Sequence, residues 1–178
     1  MEAQSQQVTP FAVGIRYGLV LALTAVLVDF LTRIAGFGFI AYGIAASVGG
    51  VFVSIAWIVT AHKAFKNNNG GFMTLSQGLT IAVVMLLFSG IVAGLFNYVY
   101  LHYIDPDFVD RMKQTMVDFM EQNNVPDDQI EKSTARISEM KMGFGKSLLG
   151  GIGNGLLGGI IIGLIVSAFT KRNPPEFE

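Results

Sequence analysis

Residues 39–61, FIAYGIAASVGGVFVSIAWIVTA, run for 23 positions without a single charged side chain. A helix needs roughly 20 apolar residues to cross a hydrocarbon core about 30 Å thick. This stretch therefore reads as a membrane span, and three others qualify beside it. Residues 75–101 contain TIAVVMLLFSGIVAGLFNYVYL, also uncharged. Residues 14–35 carry Asp29 and Arg33 near their far end, and residues 144–169 carry only Lys146. Lys146 sits where its long stem can reach the interface. The apolar run at 14–35 is too long for a secretory signal and lacks a basic segment before it, so a true span is expected there.

Composition agrees with that reading. Of the 178 residues 52% are apolar and 14% charged, against about 25% charged in an average chain. Mean hydropathy is +0.53, and most of the charge lies between Tyr103 and Lys146. Disorder, nucleic-acid binding and a typical soluble enzyme are thereby disfavoured. A net charge of −1 offers no basic surface to phosphates. The absence of cysteine removes disulfides, thiolate nucleophiles and sulfur-based zinc sites.

Thr74-Leu75-Ser76-Gln77 matches a capping box, so the third helix should begin at Leu75, after a turn at Gly70-Gly71. At its other end Asp105-Pro106-Asp107 should close it, with Asp105 as N-cap of a new helix and Pro106 in the first position. Residues 106–142 change character and read as a helical hairpin broken at Asn123-Asn124-Val125-Pro126. Phe108, Val109, Met112, Met116, Phe119 and Met120 share one face of its first helix. Ile130, Ile137 and Met140 leave a thin stripe on its second. The fourth span should stop at Lys171-Arg172-Asn173-Pro174-Pro175. The expected fold is all-α. It is a single polytopic membrane domain over 1–178, a four-helix bundle with an amphipathic extramembrane hairpin between spans 3 and 4.

Several of these landmarks have a family look. The run Asn69-Gly70-Gly71-Phe72-Met73-Thr74-Leu75-Ser76-Gln77-Gly78 resembles domain-of-unknown-function family 4199 of Gram-negative bacteria. So do Tyr100-Leu101-His102-Tyr103-Ile104-Asp105-Pro106-Asp107-Phe108 and the glycine-laden last span. The order of landmarks matches over residues 10–172, including Asp127-Asp128-Gln129-Ile130-Glu131. The resemblance implies a four-span inner-membrane protein. It brings no activity and no catalytic residue.

Candidate sites each carry two readings. Asp29 and Arg33 stand at i and i+4, acid first, the favourable order on a helix. An intramembrane carboxylate suggests a proton or cation step; the plainer reading is a self-neutralising pair near the interface. Met112, Met116 and Met120 could offer thioethers to Cu(I), but such a stripe is more often packing. His62 and His102 stand at separate span ends without metal spacing. Lys63, Lys66, Gly70, Gly71 and Ser76 could form a headgroup or anion turn at the start of the third helix, or simply a flexible turn with snorkelling lysines. The Gly-rich tract 150–159 lacks the lysine of a phosphate loop. No cofactor or metal is indicated.

The fourth span carries the sharpest pattern. Ser147, Gly151, Gly155, Gly159, Gly163 and Ser167 form an unbroken small-xxx-small row, a glycine zipper, with Gly150, Asn154 and Gly158 beside it. Such rows bring helix backbones close together in lipid. A four-residue repeat drifts about 40° per step around a straight helix. The two ends of the row are therefore expected to face different helices. The mates on offer are Gly14, Gly18 and Ala22, or Ala46, Gly50 and Ser54, or Gly90 and Gly94. Asn154 is expected to hydrogen-bond across one contact.

Function follows as an expectation. The leading reading is a non-enzymatic structural or assembly component. Its partners would be the lipid bilayer and a second copy or another membrane protein, not nucleic acid. The alternative is a small transporter or channel with Asp29, Arg33 and Asn154 along a polar path. Four spans put both termini on one side, and the cytoplasm is expected, since Arg16, Lys63, Lys66, Lys171 and Arg172 hug that interface. Arg33 and the six basic residues of 103–146 lie opposite, so a raw positive-inside count does not favour this orientation. In intact cells, an impermeant thiol reagent should label a cysteine placed at Asn124 and spare one at Asn68. The reverse pattern would invert the topology.

Overall fold

The computed structural model describes residues 8–138 and 143–174. Within them lie six α-helices: α1 (Pro10–Ile34), α2 (Phe39–Asn67), α3 (Leu75–Val99), α4 (Phe108–Gln122), α5 (Asp127–Ser138) and α6 (Phe144–Thr170). A π-helical turn, Tyr100–Ile104, prolongs α3. Helices α1, α2, α3 with its π turn, and α6 are long and apolar enough to cross a membrane. The chain is a multi-pass, all-α membrane protein with α4 and α5 between spans 3 and 4.

The helix ends follow local chemistry. Helix α1 starts four residues before the expected position 14, because the Thr9 hydroxyl accepts from Ala12 N at 3.2 Å and Pro10 suits the first turn. The capping box forms at α3: Gln77 N donates to Thr74 Oγ1 at 3.2 Å and Thr74 N to Gln77 Oε1 at 2.9 Å. Before it, Gly70 and Gly71 take φ of +62° and +87°, which a side chain would resist. Helix α2 runs past position 61 to Asn67, carrying His62 into the core. The expected cap at Asp105 is not adopted. Asp107 is the N-cap of α4, and Asp105 N instead donates to Tyr100 O at 2.8 Å, closing the π turn. Helix α6 ends at Thr170 and the chain then turns back: Met73 and Arg172 exchange two backbone bonds of 2.8 Å. Met140 and Pro175 lie outside the described residues.

Helix α3 is the axis of the molecule. Helices α6 and α1 pack along it most extensively, and α2 packs mainly on α1. The α3–α6 contact is antiparallel and made of backbone. A Cβ on Gly94 would stand 2.6 Å from Ser147 O, one on Gly155 2.5 Å from Leu86 O, and one on Gly159 2.9 Å from Val83 Cα. Midway, a methyl on Gly90 would collide with the Gly151 carbonyl, and one on Gly151 with that of Gly90. At the far end a Cβ on Gly78 would meet Ser167 Oγ at 2.8 Å.

The whole glycine row thus faces α3, which corrects the expectation that its ends meet different helices. The drift argument neglected the partner. Helix α3 presents Gly78, Ala82, Leu86, Gly90 and Gly94, also four apart, so both rows drift and the helices wind about each other. Gly14 and Gly18 do meet α3, but on its other flank, against Val84 and Met85. Gly50 of α2 has nothing near its α-carbon, and Ala46 and Gly50 border a cavity rather than a helix. Asn154 is exposed and, among the described residues, its side chain makes no hydrogen bond; the zipper closes through carbonyls and α-carbons without it.

The hairpin docks through α4. Phe108, Val109, Met112 and Met116 are buried with Ile137 of α5 against Tyr100 and Leu101, and Met120 packs alongside. Phe119 departs from the expected face and is 45% exposed. Thr115 caps α2 from outside, its hydroxyl accepting from Phe39 N at 3.2 Å. Gly155→Ala should destabilise the protein by about 1–3 kcal/mol through overpacking against Leu86. Gly153→Ala meets open space and should be neutral or stabilising by up to ~1 kcal/mol. Thermal unfolding midpoints in one mild detergent check the pair, and equal midpoints would contradict the zipper.

Candidate functional site

One turn of α1 brings Asp29 and Arg33 onto one face, and the protein closes around them. Arg33 Nε donates to Asp29 Oδ2 at 2.9 Å, and its Nη2 donates to Asn97 Oδ1 of α3 at 3.0 Å. The Tyr42 hydroxyl of α2 donates to the other carboxylate oxygen, Oδ1, at 2.9 Å. Both oxygens of Asp29 are therefore engaged, each from a different element.

Four aromatic rings complete the enclosure. The Arg33 guanidinium carbon lies 4.5 Å from the Tyr100 centroid, 4.9 Å from Phe108, 5.7 Å from Phe96 and 5.8 Å from Tyr42. The rings also contact one another edge to face, Tyr100 on Phe108 at 5.6 Å and Tyr42 on Phe108 at 5.4 Å. The Arg33 side chain is only 6% exposed, and its buried Nη1 finds no hydrogen-bond acceptor among the described residues. Aromatic faces stand where acceptors would. A desolvated cation–π contact contributes about 2 kcal/mol, whereas taking an ion out of water costs several. Neither rings nor carboxylate alone would suffice. Together they hold a charge that a planar, weakly hydrated guanidinium carries better than an ammonium.

Three cavities border this centre. One of about 330 Å³ lies among α1, α3 and α6, lined by Asp29, Arg33, Asn97, Lys146 and Asn154 with glycines between them. The three residues of the expected polar path thus share one cavity wall. A second, about 200 Å³ and nearly all apolar, separates Asp29 from Ala46 and Gly50. A third, about 480 Å³, opens under the hairpin between Arg33, Tyr100, Asp105, Phe108 and Arg111. There Arg111 forms an ion pair with Asp105, which also accepts from the Tyr100 hydroxyl at 3.2 Å. Hydrogen bonding from Arg111 holds the Asp105 carboxyl below its ordinary range.

At the opposite end of the bundle lie the residues of the expected anion turn, several of them committed to other contacts. Gly71 N donates to Lys66 O at 2.8 Å, Phe72 N to Asn69 O, and Met73 N to Arg172 O, so these three amides are already engaged. Lys66 Nζ reaches Thr170 O at 2.9 Å and caps α6. Lys63 and Ser76 are exposed and stand apart from that cap. His62 is the anchor there. Its Nε2 faces the Gly78 carbonyl at 3.0 Å, which only accepts, so that nitrogen carries a proton. Its Nδ1 lies 2.7 Å from Thr170 Oγ1, tying α2, α3 and α6 together. His102 is remote from it, stacked on Tyr98, while Met112 and Met116 lie packed within the hairpin core.

Sequence reasoning marked Asp29 and Arg33 but missed Tyr42, Asn97 and the ring cage. The signal was present, since four aromatics stand near the same ends of α2, α3 and α4. They look like interfacial anchors until the helices are placed. A family model described as a protein of unknown function (DUF4199) matches residues 16–172. No curated protein and no solved structure matches the chain.

The Asp105–Arg111 pair has a definite pH signature. A carboxyl held low by folding stabilises above its unfolded value and loses that contribution as pH falls through the lower folded value. Arg111 is more than half exposed, so solvent screens the pair and the effect is small. Asp105→Asn should lower the unfolding midpoint slightly at pH 7, and the difference should shrink as pH falls below the unfolded carboxyl's value of about 3.9, vanishing once the folded carboxyl is protonated as well. A difference independent of pH would remove Arg111 as its cause.

Proposed function

We propose that this chain, which belongs to the DUF4199 family, is a non-enzymatic assembly component of the bacterial inner membrane. One observation supports the reading above others: Asp29 and Arg33 engage each other within α1, and their remaining contacts, Asp29 Oδ1 to Tyr42 and Arg33 to Asn97 and four rings, join it to the other helices. A group committed in this way holds a shape. A proton carrier would need a carboxylate free to release its partners. The shape so held is a rigid set of spans with an amphipathic hairpin fixed at one membrane face. The termini lie on the cytoplasmic side in this reading, which puts the hairpin opposite.

The transporter reading rests on a different observation, the common cavity wall of Asp29, Arg33 and Asn154. Water access separates the two, and the natural absence of cysteine makes the test direct. Cysteine at Asn154 should resist a charged, membrane-impermeant thiol reagent from both faces, and the intact protein in mild detergent should migrate as an assembly with itself or a stoichiometric companion. Rapid labelling from either face would favour a path for ions. A lone monomer in detergent would contradict the assembly role.

A further inference from the structure

The cavity among α1, α3 and α6 has an unbalanced set of polar groups. Asp29 is matched by Arg33, so its charge is already neutralised within the wall. Lys146 has no ion-pair partner among the described residues, which leaves the cavity one positive charge in surplus. Asn97 adds a donor of fixed direction. Arg33 can only donate, so the Asn97 atom facing it must be the oxygen, and the amide NH₂ is left for the cavity. Asn154 adds a second unpaired amide about 12 Å farther along α6 than Lys146.

Geometry says where a ligand would come from. Helices α1 and α6 both lie on α3 and share no extensive contact, so the groove between them opens sideways. Leu157 of α6, less than a turn beyond Asn154, is exposed, so hydrocarbon meets the α6 side of the groove. Lys146 sits in the first turn of α6, at the depth of headgroups. An occupant should therefore be anionic at the Lys146 end, with an acceptor and an apolar tail reaching toward Asn154.

We propose that this groove binds one anionic phospholipid from the surrounding leaflet. Its phosphate engages Lys146 and the Asn97 amide, and an ester carbonyl or chain lies along Gly150 and Gly151 toward Asn154. The site is independent of the assembly reading and stands if that reading fails. Delipidated protein in mild detergent is offered dioleoyl phosphatidylglycerol or dioleoyl phosphatidylcholine, and bound lipid is counted by native mass spectrometry. Wild type should retain phosphatidylglycerol about fivefold more strongly, the size of one partly shielded ion pair. Lys146→Gln should abolish the preference, Lys146→Arg should restore it, and Lys113→Gln on the hairpin should leave it intact. Undiminished preference in Lys146→Gln, or equal loss in Lys113→Gln, would overturn the site. If inorganic phosphate raised the unfolding midpoint as far as phosphatidylglycerol does, the lipid assignment would fall.

Discussion

A guanidinium cannot be left bare in hydrocarbon, and the burial of Arg33 organises everything at its end of the molecule. Its charge requires Asp29 one turn back, which draws in the Tyr42 hydroxyl to satisfy the second carboxylate oxygen. Its forked donors require Asn97, which fixes α1 against α3. Its faces require rings, and those come from α2, α3, the π turn and α4. The hairpin is thus held on the spans by apolar packing and by a cation that loses its shelter if the hairpin leaves.

The far half of the bundle obeys a different constraint. Lipid gives apolar helices no reason to associate, so they hold together where backbones can approach. Helix α3 is built for this on both flanks, taking the glycine row of α6 on one and Gly14 and Gly18 of α1 on the other. The nine glycines between 143 and 163 would cost roughly 9 kcal/mol of helix propensity in water. In the bilayer the backbone has no other partner for its hydrogen bonds, and the cost recedes. Because α1 and α6 compete for the same central helix, a groove remains between them. It is there that Lys146 stands without an ion-pair partner and the Asn154 side chain without a hydrogen bond among the described residues.

Much of this was legible in the chain. The four spans follow from length and hydropathy, the α3 start from Thr74 and Gln77, and the hairpin from the spacing of Phe108, Met112 and Met116. The glycine row was visible too, but its mate was not, because drift calculated for one helix ignores an equal drift in the other. The cap at Asp105 failed because its side chain is held by Arg111 and Tyr100, while its amide closes the π turn. The ring cage was hidden for a simpler reason. Tyr42, Phe96, Tyr100 and Phe108 are dispersed over 67 positions of sequence, and only the tertiary fold shows that they share one cation.

Hydrogen exchange of the α4 amides in wild type and Arg33→Lys tests the central claim most directly. Lysine keeps the charge but loses the flat face and the fork. If Arg33 fastens the hairpin, exchange in residues 108–122 should accelerate roughly 30-fold, the equivalent of about 2 kcal/mol of lost cation–π contact, while the α3–α6 seam stays protected. Unchanged protection in α4, or an even loss across all the helices, would contradict the account.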